Sequence, residues 1–327
     1  MKRNLLLLSL ILLLIAGGCS NGAKGKAEAA SDYPKKPIEI VVPFPPGGST
    51  DVMARAIAKE LPQYLPDKQQ VAVINKPGAG TTLGLTEVAK AKPDGYTLGF
   101  TTSSGLDIQP HYGKTAYQID SFAPIAKVYD IATAITVLDD SPLKTYDDWL
   151  AYVKENPGKF TYASPGGTGS SGHIAMEQLS KELGVETKHV PFEGVADLKN
   201  ALMTGQIESA ILSPDTETGG NIRPLLFTTD TKGPTDFYTD IPNTDDLGLE
   251  AKSDFYAGLI APKDTPDEII EIIHAGVKEI LDSGKLDDIM KNQMLTGAYA
   301  NPEEFKEIIQ NASGKNETLM KEAGLIK

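Results

Sequence analysis

Short β-branched runs alternate with longer stretches of helical period along most of this chain. Residues 38–42, Ile38-Glu39-Ile40-Val41-Val42, predict a buried strand. Behind them Met53, Ala56, Ile57, Leu61 and Tyr64 recur at the spacing of one helix face. The same alternation predicts strands at 70–74, 96–102, 160–163, 188–192 and 222–229. Helices are expected at 85–91, 141–157, 174–183, 196–203, from Thr265-Pro266 to Leu281, and from Pro302. Thr145 with Asp148 three residues on forms a capping box, and Asn156-Pro157-Gly158 stops that helix. Two apolar runs within 122–137 read as a crossing from one domain to another. Strands that alternate with helices predict α/β layers rather than an all-β or all-α fold.

The turns are as informative as the elements. Between the first strand and its helix lies Pro43-Phe44-Pro45-Pro46-Gly47-Gly48-Ser49-Thr50-Asp51. The prolines stiffen the approach and the glycines leave bare backbone for a ligand. Ser49 or Thr50 can cap the helix, and its first-turn N–H groups form an anion site. Asp51 and Arg55, four apart on that helix, can pair. A second glycine turn, Pro77-Gly78-Ala79-Gly80-Thr81-Thr82, follows the next strand. Thr101-Thr102-Ser103-Ser104 ends the third, where α/β sheets bind ligands. Ser164-Pro165-Gly166-Gly167-Thr168-Gly169-Ser170 precedes His173 and repeats the opening architecture farther along the chain. Two such turns on two domains can face each other across a cleft.

Composition narrows the function. With 327 residues and 40% hydrophobic content the chain can bury two cores. Its net charge of −13 argues against nucleic-acid binding, which depends on Lys and Arg. Lys2-Arg3, an apolar run over 5–15 and Ala16-Gly17-Gly18 predict a secretory leader over 1–18. Cys19 is the single cysteine, so no intramolecular disulfide forms. Its place after small residues resembles a lipobox, although Ala16 stands where Leu is usual. Residues 19–32 then form a lipidated cysteine and a flexible tether. That places the chain outside the cytoplasm, anchored to the cell membrane through Cys19. A nucleophile elbow, a P-loop and a His-Glu-x-x-His run are missing, and His111, His173, His189 and His274 are scattered. No cofactor or metal is expected.

Pro46-Gly47-Gly48-x-x-Asp51-x-x-Ala54-Arg55 and Pro93-Asp94-Gly95-Tyr96-Thr97-Leu98 resemble signatures of the tripartite tricarboxylate transporter receptors, also called Bug or TctC proteins. Gly167-x-Gly169-Ser170-x-x-His173 is similar to that family's second binding loop, and the likeness extends over about residues 33–327. It implies an α/β, two-domain periplasmic-binding-protein-like fold of type II kind, with the ligand cleft between the domains. Residues 33–130 with 250–327 would form one domain and 131–249 the other. It also implies capture of a small organic acid and delivery to the membrane subunits of a tripartite transporter. Glu193 departs from the pattern, standing where the family usually has Lys or Arg.

The candidate ligand-binding residues follow from the turns and the resemblance together. Phe44, Gly47, Gly48, Ser49 and Asp51 come from the first turn, and Gly80, Thr81 and Thr82 from the second. Thr102, Ser103 and Ser104 end the third strand. Ser164, Gly167, Thr168, Gly169, Ser170 and His173 belong to the repeated turn, and Phe192, Glu193, Pro214 and Asp215 to the loops beyond it. Backbone N–H groups of 47–49 and 167–170 are expected to hold carboxylate oxygens. His173 reads as a ligand contact or as a packing residue, and Trp149 as core. Glu193 either faces the cleft, favouring an ammonium or neutral tail, or is a solvated loop charge. A binding protein, an enzyme and a sensor on this fold remain alternatives.

Overall fold

The computed structural model describes residues 33–113, 115–214, 221–229, 238–252, 255–322 and 324–327. The leader, Cys19, the tether and Asp215 lie outside the described residues. The chain opens with β1 (Ile38–Val42), α1 (Ser49–Glu60), β2 (Val71–Asn75), α2 (Thr82–Lys90) and β3 (Thr97–Thr102). A π-helical turn over Ser104–Ile108 leads into the short α3 (Gln109–Tyr112), then β4 (Phe122–Ile131). The second half-chain runs β5 (Ala134–Leu138), α4 (Tyr146–Glu155), β6 (Thr161–Ala163), α5 (Ser171–Leu183), β7 (Lys188–His189), α6 (Val195–Met203), β8 (Ser209–Leu212) and β9 (Ile222–Phe227). It then returns through β10 (Tyr256–Pro262), α7 (Asp267–Asp282), α8 (Asp287–Asn292), β11 (Leu295–Ala300) and α9 (Pro302–Glu322).

Two sheets result, ordered β11-β4-β10-β3-β1-β2 and β7-β6-β8-β5-β9. In the first, β1 runs parallel to both β2 and β3. In the second, β6 runs parallel to both β7 and β8. The order 2-1-3 is thus laid down twice, each time with antiparallel strands added beyond it. At such a point the chain leaves the central strand in opposite directions, and a crevice opens at the strand C-termini.

Alternation along β1 divides the first core. Ile38, Ile40 and Val42 pack with Met53, Ile57 and Leu61 of α1 and with Ile273 and Val277 of α7. Val41 points to the other face, beside Leu85 and Val88 of α2 and Phe305 and Ile309 of α9. The predicted helix face is therefore the buried one. In the second half Trp149 is fully buried with Phe160, Tyr162, Met176 and Leu179. The capping box at Thr145 and Asp148 forms as the spacing predicts, with Thr145 Oγ1 accepting from the Asp148 N–H at 3.1 Å.

Some boundaries shift. α2 begins at Thr82 and α5 at Ser171, each three residues ahead of the expected start. For α5 the reason is Ser170, whose hydroxyl caps the helix by accepting from the His173 N–H. β11 and α8 were not predicted, because Gly297 and the alternation of small and polar residues give 295–300 no apolar period.

Phe305 lies on Gly258 of β10, where an added methyl would come within 2.5 Å of its ring. Phe305→Ala is expected to destabilise the protein by about 3–5 kcal/mol. Urea unfolding followed by circular dichroism measures this, and a loss under about 1 kcal/mol would show that α9 does not complete the first core.

Candidate functional site

The turn after β1 is set by one carboxylate. Asp51, 3% exposed, accepts from the Gly47 N–H at 2.9 Å, from Arg55 Nε at 3.0 Å and from Asn75 Nδ2 at 2.8 Å. Asn75 Nδ2 also donates to the Phe44 carbonyl at 3.0 Å. Burial pushes the Asp51 carboxyl up, but these donors and the Arg55 charge outweigh it and hold it below the ordinary aspartate value. Asp51 therefore turns back into the protein to tie Gly47 down. It does not line the cavity, which corrects its place among the ligand contacts. Gly47 adopts φ +92°, a conformation that favours glycine.

The N-cap of α1 is Gly48, not Ser49 or Thr50, and no side chain caps the helix. The N–H groups of its first turn have no carbonyl inside the helix to meet. Gly47, Gly48, Ser49 and Thr50 all line a cavity of about 140 Å³. A second helix start lines it from the opposite sheet. α6 begins after Gly194, again with no side-chain cap, and Val195 and Lys199 face the same space. Gly194 is needed for this approach, since a methyl there would come within 2.9 Å of Pro45 Cγ.

The repeated glycine turn at 166–170 behaves differently from its expected role. The Gly167 N–H donates to the Phe192 carbonyl at 2.8 Å, and the Ser170 N–H to the Gly167 carbonyl at 3.3 Å. The Gly169 N–H donates to His173 Nδ1 at 3.0 Å. The next N–H, Ser171, donates across the cleft to Ser104 Oγ at 3.0 Å. These donors are engaged by the protein, and Gly167, Gly169 and Ser170 are not among the residues that line the cavity. His173 and Ser164 form the support behind the turn. Ser164 Oγ pairs with Ser170 Oγ at 2.7 Å and with His189 Nε2 at 3.1 Å.

Other predicted residues form the seam where the two halves touch. Ser103 and Ser104 hydroxyls meet Ser171 Oγ at 3.0 and 2.9 Å. The Gly80 N–H donates to Glu193 Oε2 at 3.4 Å, and Gln109 Nε2 to the Thr168 carbonyl at 3.1 Å. Glu193 is exposed at this seam and is not among the residues that line the cavity. Thr81 is buried at φ +78° beside the seam, and Thr82 Oγ1 donates to the Ala79 carbonyl at 2.9 Å. Phe192 packs on the α6 side of the second core, and Pro214 is buried next to Ser213.

Of the predicted residues, Phe44, Gly47, Gly48, Ser49 and Thr102 reach the cavity. Thr102 is 1% exposed and its hydroxyl has no hydrogen-bond partner within the protein. Sequence reasoning missed Thr50, Thr133, Val195, Lys199, Ser213, Phe255 and Gln293. The signal that could have found α6 is Glu193-Gly194 between a short strand and a helix, the opening pattern with one glycine instead of two. Ile131, Ile211, Leu212 and Phe255 supply apolar wall. Among the described residues that line the cavity none is Asp or Glu, and Lys199 is the one charged side chain. Among the described residues no group of three His, Cys, Asp or Glu side chains is placed to hold a metal ion. None of their helices is long and apolar enough to cross a membrane.

Two predictions arise from the support of these turns. Asp51→Ala leaves the Gly47 N–H without its acceptor and the Arg55 guanidinium with Asn75 Oδ1 alone, and should destabilise the protein by about 1.5–3 kcal/mol in urea unfolding. The second concerns His173 and His189, stacked at 4.2 Å. Burial lowers His173 to about 4; burial and then the neighbouring His173 lower His189 to about 3. An unfolded histidine titrates near 6.5, so between that pH and the lowered values the unfolded chain binds protons that the folded chain refuses. Stability should therefore fall as pH drops from about 6.5 towards 4, and His189→Gln should flatten the fall when unfolding midpoints are compared across that window.

The chain and its fold are similar to those of known proteins. A UPF0065 protein of Cupriavidus necator is 30% identical over 306 residues, 92% of each chain. MatC from Rhodopseudomonas palustris, solved with bound malate, superposes with a TM-score of 0.77 at 25% identity, covering 88% of this chain and 99% of that one. A second Rhodopseudomonas palustris protein, solved with adipate, gives 0.80 at 26% identity, covering 90% and 99%. The two-sheet architecture is thus the two-domain α/β solute-binding fold. Residues 53–325 match the tripartite tricarboxylate transporter family receptor, and the chain belongs to that family.

Proposed function

We propose that this protein is an extracytoplasmic receptor that closes its two α/β domains on a small organic acid. In this reading residues 33–130 with 250–327 form one domain and 131–249 the other. One carboxylate sits at the uncapped start of α1, within reach of the Thr102 hydroxyl, and the apolar wall covers the carbon chain. The cavity carries the proposal: two uncapped helix starts meet there, with no acidic side chain among the described residues that line it. A volume of about 140 Å³ suits a small metabolite, since pockets for drug-sized ligands begin at about 300 Å³. The malate and adipate held by the two relatives are carboxylates of that size class. Cys19 would carry the lipid anchor, and the closed form would be presented to the membrane subunits of a tripartite transporter.

Thermal unfolding of the purified protein against mono-, di- and tricarboxylates, amino acids and aromatic acids tests this. A ligand at 100 times its Kd should add about 2.7 kcal/mol of stability. Thr102→Val should weaken binding of the hit by about 10- to 100-fold, the value of a hydrogen bond to a charged group, while leaving the fold intact. The ligand should be recovered unchanged, and turnover would favour an enzyme. No stabilisation by any acid, from protein shown by mass spectrometry to carry no copurified ligand, would contradict the receptor role.

A further inference from the structure

We propose that Tyr129 is a positioning residue for the bound acid: its phenol donates to Thr50 Oγ1 and so turns the Thr50 hydroxyl hydrogen towards the ligand. The inference rests on the receptor role and adds a buried relay behind its α1 wall. Strand pairing sets Thr102 opposite Ala257, and Ala257 opposite Tyr129, so the three stand in one row across β3, β10 and β4. Phe100, Ala257 and Tyr129 share the core under α1, which puts Thr102, two residues on from Phe100, on the same face. Ala257 is too small to block the row. Tyr129 reaches across β10, with its ring centroid 6.1 Å from that of Phe100 on β3. Thr50 comes down on this row from α1. It shares a helix face with Met53, Ala54 and Ile57, all buried in the same core. Thr50 and Thr102 both line the cavity.

The Tyr129 hydroxyl is the group in this row that packing alone does not explain. Tyr129 is fully buried, and its Oη has no hydrogen-bond partner among the described residues. A buried hydroxyl left unpaired is destabilising, and Phe would fill the same space without that cost. Thr102 Oγ1 is in the same state. Burial pushes the Tyr129 phenol above its ordinary value, and the Thr50 hydroxyl works against that shift, so the two groups face each other. Three hydroxyls therefore meet behind the start of α1. A carboxylate there brings two oxygens with several lone pairs. Thr102 donates to one oxygen and Thr50 to the other, while Tyr129 donates to Thr50 from behind. Each donor in such a chain polarises the next, and the low dielectric of the core strengthens the whole.

Isothermal titration of the purified protein with malate, adipate, citrate and acetate, paired with urea unfolding of each variant without acid, tests the assignment. Tyr129→Phe should weaken binding of whichever acid the wild type takes by about tenfold. Its unfolding midpoint without acid should stay the same or rise, because the unpaired hydroxyl is gone. Thr50→Val should also weaken binding, and adding Tyr129→Phe to it should change the affinity by less than about twofold, since the relay is already cut. Affinity within about twofold of wild type in Tyr129→Phe overturns the relay. So does a lowered midpoint in that variant, which would mark the hydroxyl as part of the fold, and so do losses that multiply in the double variant. Each of these leaves the receptor standing. Binding of no acid, from these four or the wider panel, removes both.

Discussion

The turn that opens the cavity depends on one carboxylate that faces away from it. Asp51 gathers the Gly47 N–H, Arg55 and Asn75 around its two oxygens. Asn75 ends β2 and also holds the Phe44 carbonyl, so the turn after β1 is fastened to the neighbouring strand. With Asp51 and Asn75 holding the loop from behind, the front of α1 stays bare. A Ser or Asp at the cap position would satisfy those N–H groups internally and close the proposed anion site. Gly48 leaves them without a side-chain cap.

The two halves use one plan for different ends. Both sheets have order 2-1-3, so each opens a crevice at its strand C-termini, and the cavity lies where the two crevices face each other. Each half has two glycine-marked turns, and only one in each half has its helix start on the cavity. In the first half it is the turn of α1; the Gly80 turn of α2 meets Glu193 instead. In the second half it is the turn of α6; the Gly166–Ser170 turn of α5 closes on Ser103 and Ser104. Small hydroxyl side chains and bare backbone at that seam let the halves meet closely. The chain's charge of −13 does not prevent an anion from binding, because distant charges are screened within about 8 Å and the local dipoles face the cavity.

Much of this was legible in the sequence. The apolar face of α1, the alternation in β1 and the capping box at Thr145 come from local periodicity and short-range chemistry, and they appear as expected. The turn at Gly47-Gly48 announced itself through proline stiffening and paired glycines. What was not legible depends on long-range pairing. Gly167 to Ser170 carry the same local signal as the first turn, yet the distant Phe192 takes up the Gly167 N–H, His173 that of Gly169, and the distant Ser104 that of the following Ser171. Lys199 looks like any solvated helix charge until α6 is placed against the cavity. Glu193 was noticed for its charge, but which side of its loop it occupies follows from contact with Gly80, 113 residues away.

The most direct measurement is a crystal structure of the protein grown with an acid that stabilises it. The account predicts a carboxylate at the start of α1, with oxygens within about 3 Å of the Ser49 and Thr50 N–H groups and beside the Thr102 hydroxyl. The Gly47 N–H should stay on Asp51. A ligand bound instead to the N–H groups of Gly167 to Ser170, with the start of α1 left to water, would contradict it.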